Sequence, residues 1–124
     1  MRFTTKATNF ELTSDITDYL EKKLQALDKF MPKDSDPFVY VEVGKTTRHH
    51  QSGDIFLAEL NLHSKGQVHR ATAEEEALFA AIDRAKDELV HILSKEKKKR
   101  FHLLRRGGVK LKEMTHGLFR KRRE

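Results

Sequence analysis

The sequence predicts an α+β fold, a two-layer β-α-β-β-β-α sandwich in which a four-stranded sheet carries two helices on one face. Three observations predict it. Apolar and polar residues alternate with a period of two in four short stretches. A rhythm of three and four residues occupies two longer ones. Each helical stretch has a single apolar stripe, which needs one face of a sheet to cover it. The expected organisation is a domain over residues 1–100 followed by a basic, flexible tail over 101–124.

Taken in order, "RFTTKAT" sets Phe3, Thr5 and Ala7 against Thr4 and Lys6, a strand with β-branched bias. "NFELTSDITDYLEKKLQALDKFMP" reads as a helix capped by Thr13 or Ser14 and stopped by Pro32. Ile16, Leu20, Leu24 and Leu27 share its apolar face, with Tyr19 and Phe30 beside them. "PFVYVEVGKT" alternates Val39, Val41 and Val43 against Phe38, Tyr40 and Glu42. "TTRHHQSGD" is a polar loop. "DIFLAELNLHS" places Phe56, Ala58, Leu60 and Leu62 on one side, "SKG" signals a tight turn, and "QVHRATA" is a short fourth strand. The last helix starts at Glu74, with Glu74, Glu75 and Glu76 in its first turn, where the dipole favours acids. Leu78, Ile82, Ala85, Leu89 and Ile92 form its seam, with Ala81 and Leu93 alongside. Charge replaces the seam from Glu96 onward, so contact with the sheet ends near Leu93. "RRGGVK" breaks the helix at Gly107 and Gly108.

Charge is the strongest functional signal. The chain of 124 residues carries a net +6, unevenly spread. Residues 1–73 hold ten basic and ten acidic side chains, residues 74–94 two and six, and residues 95–124 thirteen and three. One or two cations would complement a helix C-terminus. Thirteen in thirty residues exceed that need and point to a polyanion, nucleic acid first and anionic membrane second. The chain has no Cys, so disulfides and thiolate zinc sites are excluded, and a reducing cytoplasm fits. No apolar run approaches the roughly 20 residues of a membrane span, and no signal peptide is read at the N-terminus.

Lys23 falls within the apolar arc of the first helix, between Tyr19 and Leu27. Either its stem packs while the ammonium snorkels to water, or packing holds the cation at the edge of the two-helix face. Lys22 is more plainly exposed and can join Arg84 and Lys86 in a stripe. Among seven histidines, His49 and His50 are loop neighbours whose side chains point apart, and His63 and His69 can face each other across the hairpin. Without cysteine or carboxylates at ligand spacing this is a weak metal signal, and no metal or cofactor is expected. "GKTTRHH" lacks the earlier glycine of a phosphate-binding loop, and neither G-x-S-x-G nor H-E-x-x-H occurs. No catalytic residue is assigned, and the chain is read as not an enzyme.

"NFELT", "EKKL" and above all "LFAAID" followed by "LSKEKKKR" resemble the ribosome hibernation factors, also called ribosome-associated inhibitor or sigma-54 modulation proteins. The likeness covers residues 1 to about 100. It implies the same sandwich, similar in outline to a double-stranded-RNA-binding domain. It further implies binding to the small ribosomal subunit where messenger and transfer RNA lie, and silencing of translation in stress or stationary phase. Lys22 and Lys23 on the first helix, and Arg84, Lys86, Lys95, Lys97, Lys98, Lys99 and Arg100 on the second, would then face ribosomal RNA. One departure is Ala77, where the family often has Asp; the glutamate run can replace its carboxylate. With only about 24 residues after the helix the chain resembles a short form, and its effect on ribosome pairing stays open.

The expected partner is the small subunit, through 16S-type rRNA and neighbouring proteins, in the cytoplasm, with no membrane and no small-molecule substrate. Two alternatives remain: a general binder of double-stranded nucleic acid, and a protein-partner module modulating transcription through the acidic helix start, Phe79 and Val90.

Overall fold

The computed structural model describes residues 1–47 and 53–106. The elements are β1 (Arg2–Thr8), α1 (Ser14–Gln25), a 3-10 turn (Asp28–Phe30), β2 (Phe38–Thr47), β3 (Asp54–Ser64), β4 (Gln67–Glu75) and α2 (Leu78–Arg106). The chain divides into two compact units, Met1–Leu93 and Ser94–Glu124.

In the first unit the strands lie in the order β1-β2-β3-β4. β1 runs parallel to β2, which requires a crossover, and α1 supplies it. The remaining pairs are antiparallel. Ser64 pairs with Gln67 across a two-residue turn in which Lys65 (φ 49°) and Gly66 (φ 79°) are both left-handed. Such a turn matches the twist of the flanking strands, and glycine enters it without steric cost.

Register sorts the side chains. Val39, Val41 and Val43 sit opposite Leu62, Leu60 and Ala58, and the last two sit opposite Ala71 and Ala73. All eight are buried in one cluster with Ile16, Leu20 and Leu24 of α1 and Ala81, Ile82, Ala85, Leu89 and Leu93 of α2. Both helices therefore cover the same sheet face, as the alternation and the stripes require. The other face carries Arg2, Thr4, Lys6, Phe38, Tyr40, Glu42, Glu59, Asn61, His63, Val68 and Arg70.

Two boundaries and the burial of two side chains differ from the sequence reading. α1 ends at Gln25, well before Pro32, because Ala26 and Leu27 donate to Lys23 and Leu24, three residues back. The tightened turn keeps Leu27 fully buried. β4 runs through Glu75, with Glu74 and Glu75 paired to Leu57 and Phe56. Strand pairing wins over the dipole, and the first turn of α2 holds no acid. Leu93 is 4% exposed and joins the core, whereas Ile92 is only half-buried. Val90 packs against the core instead of standing free for a partner. The expected end of sheet contact near Leu93 matches the last buried residue, and the helix continues through Arg106. The expected break at Gly107 and Gly108 lies outside the described residues.

Leu60, fully buried at the centre of the cluster, tests this arrangement. Leu60→Ala is expected to cost about 3 kcal/mol in denaturant unfolding. Ile92→Ala should cost clearly less than Leu93→Ala in the same measurement.

Candidate nucleic-acid interface

Residues of α1 and α2 that do not enter the core carry the basic candidates. On α1, Ile16, Leu20 and Leu24 point inward, which leaves Lys22 exposed. Lys22 makes no ion pair among the described residues. Lys23 behaves differently. Its side chain is 30% exposed, with Nζ 3.4 Å from Oδ1 of Asp83 and 5.2 Å from the centre of the Tyr19 ring. The ammonium is thus held by a carboxylate and a ring face, partners that neither of the two readings open from sequence named.

Asp83 is the hub of this contact. The Tyr19 hydroxyl donates to its Oδ1 at 2.7 Å, and the Tyr19 ring stacks on Phe79 with centres 4.3 Å apart and planes 18° apart. One carboxylate oxygen thus receives a phenol and an ammonium from α1, while Phe79, one turn earlier on α2, supports the phenol ring. The hydrogen bond to Asp83, then burial, then the charge of Asp83 push the Tyr19 phenol from 10.0 up to about 12. Sequence reasoning quoted Asp83 within "LFAAID" without giving it a task. A usable signal existed: Tyr19 and Lys23 are four apart on α1, as are Phe79 and Asp83 on α2, so each pair shares a helix face.

Further along α2, Arg84 Nη1 lies 2.7 Å from Glu75 Oε2, with the arginine side chain 67% exposed. Lys86 Nζ lies 2.7 Å from Asp87 Oδ1, and only 18% of its side chain is exposed. Exposed pairs are worth little, about 0–1 kcal/mol, so a phosphate can compete for Arg84. Lys86 is more covered than either Lys23 or Arg84.

In the second unit the lysine run is helical. Lys95, Lys98 and Lys99 line, with His102 and Leu103, a shallow groove of about 380 Å³. Their spacing of three and four residues places these lysines on one arc. Lys97 and Arg100 are also exposed. Lys95, Lys98, Lys99 and Arg100 make no ion pair among the described residues. Arg105 lies over the Phe101 ring at 5.6 Å.

The histidine pairing does not form. His63 sits opposite Val68 and His69 opposite Leu62, so the two rings belong to opposite sheet faces. His49 and His50 lie outside the described residues. Among the described residues, no helix is long and apolar enough to cross a membrane.

Sheet, paired helices and exposed helical lysines define a small α+β sandwich with a cationic helical surface. A family model described as Sigma 54 modulation protein / S30EA ribosomal protein matches residues 3–100, and the chain belongs to this family. Similar proteins include the ribosome hibernation promoting factor of Klebsiella oxytoca, 31% identical over 91 residues that span 73% of this chain and 87% of that one. The factor of the same name from Escherichia coli K12 is 28% identical over 99 residues, 80% of this chain and 96% of that one. Among solved structures, the Thermus thermophilus Protein Y N-terminal domain superposes with a TM-score of 0.65 at 30% identity, covering 77% of this chain and 98% of that one. The family expected from "LFAAID" and "LSKEKKKR" is the family found.

The Tyr19 contact has a direct readout. An ultraviolet titration of tyrosinate should show one phenol ionising near pH 12, and Asp83→Asn should bring it down toward the ordinary 10.0. A raised folded-state pKa favours the neutral phenol. The associated stability is therefore complete below about pH 10 and is lost as pH rises through about 12.

Proposed function

We propose that this chain is a non-enzymatic ribosome hibernation factor. It docks on the small ribosomal subunit in the channel of messenger and transfer RNA, across the A and P sites, and so blocks translation under stress or in stationary phase. The observation that carries this reading is the helical lysine run. Lys95, Lys98 and Lys99 share one arc and have no carboxylate partner among the described residues. Membership of the family and the hibernation names of the relatives support the destination.

Cations at phosphates release condensed counterions, giving affinity that depends on backbone geometry rather than base sequence. Lys22, Lys23 and Arg84 add contacts from the first unit, with Lys86, Lys97 and Arg100 completing the set. Lys23 meets RNA in a fixed position, because Asp83 and Tyr19 hold it. Arg84 exchanges Glu75 for a phosphate. Occupation is the mechanism: a folded sandwich in the channel excludes the RNAs that translation needs. Residues 1–100 serve as the docking domain, and the basic residues of 101–124 lie along neighbouring RNA. The work is done in the cytoplasm, without cofactor.

Co-sedimentation with purified small subunits across a salt series tests the reading. Binding is expected at low salt, with log affinity falling linearly in log salt. Replacing Lys95, Lys98 and Lys99 together by Gln should flatten that slope by roughly two units, at about 0.7–0.9 per phosphate contact. Absence of co-sedimentation at low salt removes the proposal. Displacement by an equal mass of free duplex RNA would instead mark a general nucleic-acid binder.

A further inference from the structure

The sheet face opposite the helices is not used by the docking just described. Three aromatic rings form a row across it. Phe38 meets Tyr40 at 4.8 Å with planes at 73°, and Tyr40 meets His63 at 5.0 Å and 78°. Tyr40 is 50% exposed in the middle of the row. Both contacts are edge-to-face, so neither supplies the offset stacking that a planar ligand would add. Arg2 lies over the Phe38 ring at 5.3 Å. Beside Tyr40 is a depression of about 180 Å³ lined by Thr4, Thr5, Lys6, Glu42 and Asn61.

These groups match one ligand chemistry. Asn61 Oδ1 accepts from Arg70 Nε at 2.7 Å, which assigns the oxygen to Arg70 and leaves the NH₂ group of this lining residue to donate. Glu42 is an acceptor for ring N–H or amino groups. Lys6 makes no ion pair among the described residues and supplies a cation within reach of the same depression. A stacking ring, a donor, an acceptor and an ammonium around a space of this size are what an unpaired nucleotide requires. A protein partner would favour a continuous apolar patch, whereas threonines, Asn61 and charged groups interrupt this one. We propose that the open sheet face binds single-stranded RNA, with an unpaired base stacked on Tyr40, its edge toward Asn61 and Glu42, and a phosphate at Lys6. None of its residues is among the helical cations assigned to docking, so one chain can hold structured RNA through its helices and a loose strand through its sheet.

The test uses the full chain and a fluorescein-labelled, unstructured RNA of about ten nucleotides, a length within the usual single-strand site size. Binding is followed by anisotropy across a salt series, alongside small-subunit co-sedimentation. Tyr40→Ala should weaken the oligonucleotide about tenfold at every salt concentration, and Tyr40→Phe should restore it, since stacking needs the ring and not the hydroxyl. Lys6→Gln should produce a smaller loss with a flatter salt slope. With 4-thiouridine in the strand, photo-cross-links are expected in β1, β2 or β3. Co-sedimentation should survive Tyr40→Ala, so failure here is distinguishable from failure of the docking reading. Parental affinity in Tyr40→Ala overturns the proposal. So do cross-links confined to residues 94–124, or a Tyr40→Ala effect on self-association instead of on RNA.

Discussion

Two apolar stripes must be hidden on one face of a four-stranded sheet, and every other feature of the first unit follows from that requirement. Neither helix can bury its stripe alone, and the inner sheet face is apolar from Val39 to Ala73. Small residues make close layering possible. Ala71 and Ala73 on β4, and Ala81 and Ala85 on α2, are all buried, so backbones approach where larger side chains would hold them apart. Because one face takes both helices, the opposite face stays open, and the outward surfaces of the helices are left for charge.

The outward surface is not simply basic. Asp83 places a carboxylate beside Lys23, which reduces the field a polyanion would feel there. In return the stacked pair Tyr19–Phe79 and the short hydrogen bond fix α1 against α2 at their exposed edge. A stacked aromatic pair contributes about 0.5–1.5 kcal/mol beyond its area, and a part-exposed ion pair less. The gain is order more than energy: a lysine held by two partners presents one position, where a free lysine presents many and loses that freedom on binding.

Strand content and element order were legible because a sheet with one buried face writes its period directly into the chain. "FVYVEV" and "LAELNL" admit only one register if the valines and leucines are to be covered. The "SKG" turn was legible for a related reason, since a two-residue turn of this hand needs glycine. Helix ends were not. Leu27 and Phe30 prolong the apolar rhythm of α1 past Gln25, although the chain has already tightened into a 3-10 turn. The glutamates suit a helix start on dipole grounds alone, but local preference cannot weigh that against hydrogen bonds to β3. Ile92 and Leu93 are equally apolar, and only the rotation of α2 against the sheet separates them. Among the candidate cations, position along the chain was readable and pairing was not. Lys23 finds its carboxylate on α2, and Arg84 finds its own at the end of β4.

That difference in pairing bears on why the basic end is built as a helix. In the first unit Arg2, Lys23, Lys45, Arg70, Arg84 and Lys86 each have a carboxylate within 4 Å. In the lysine run, Lys95 has Lys98 and Lys99 three and four residues on, and like charges at those spacings cost a helix about 0.2–0.5 kcal/mol per pair. The segment is therefore helical in spite of its charge, through the continuity of α2 from its anchored half. A phosphate against that arc removes the repulsion as well as releasing counterions, so binding and helix stability reinforce each other. The same lysines spread along an extended chain would carry equal charge but gain nothing of this second kind. With the lysines concentrated on one turn-spaced arc, self-repulsion, a cost in the free protein, would become part of the driving force for any polyanion that binds there.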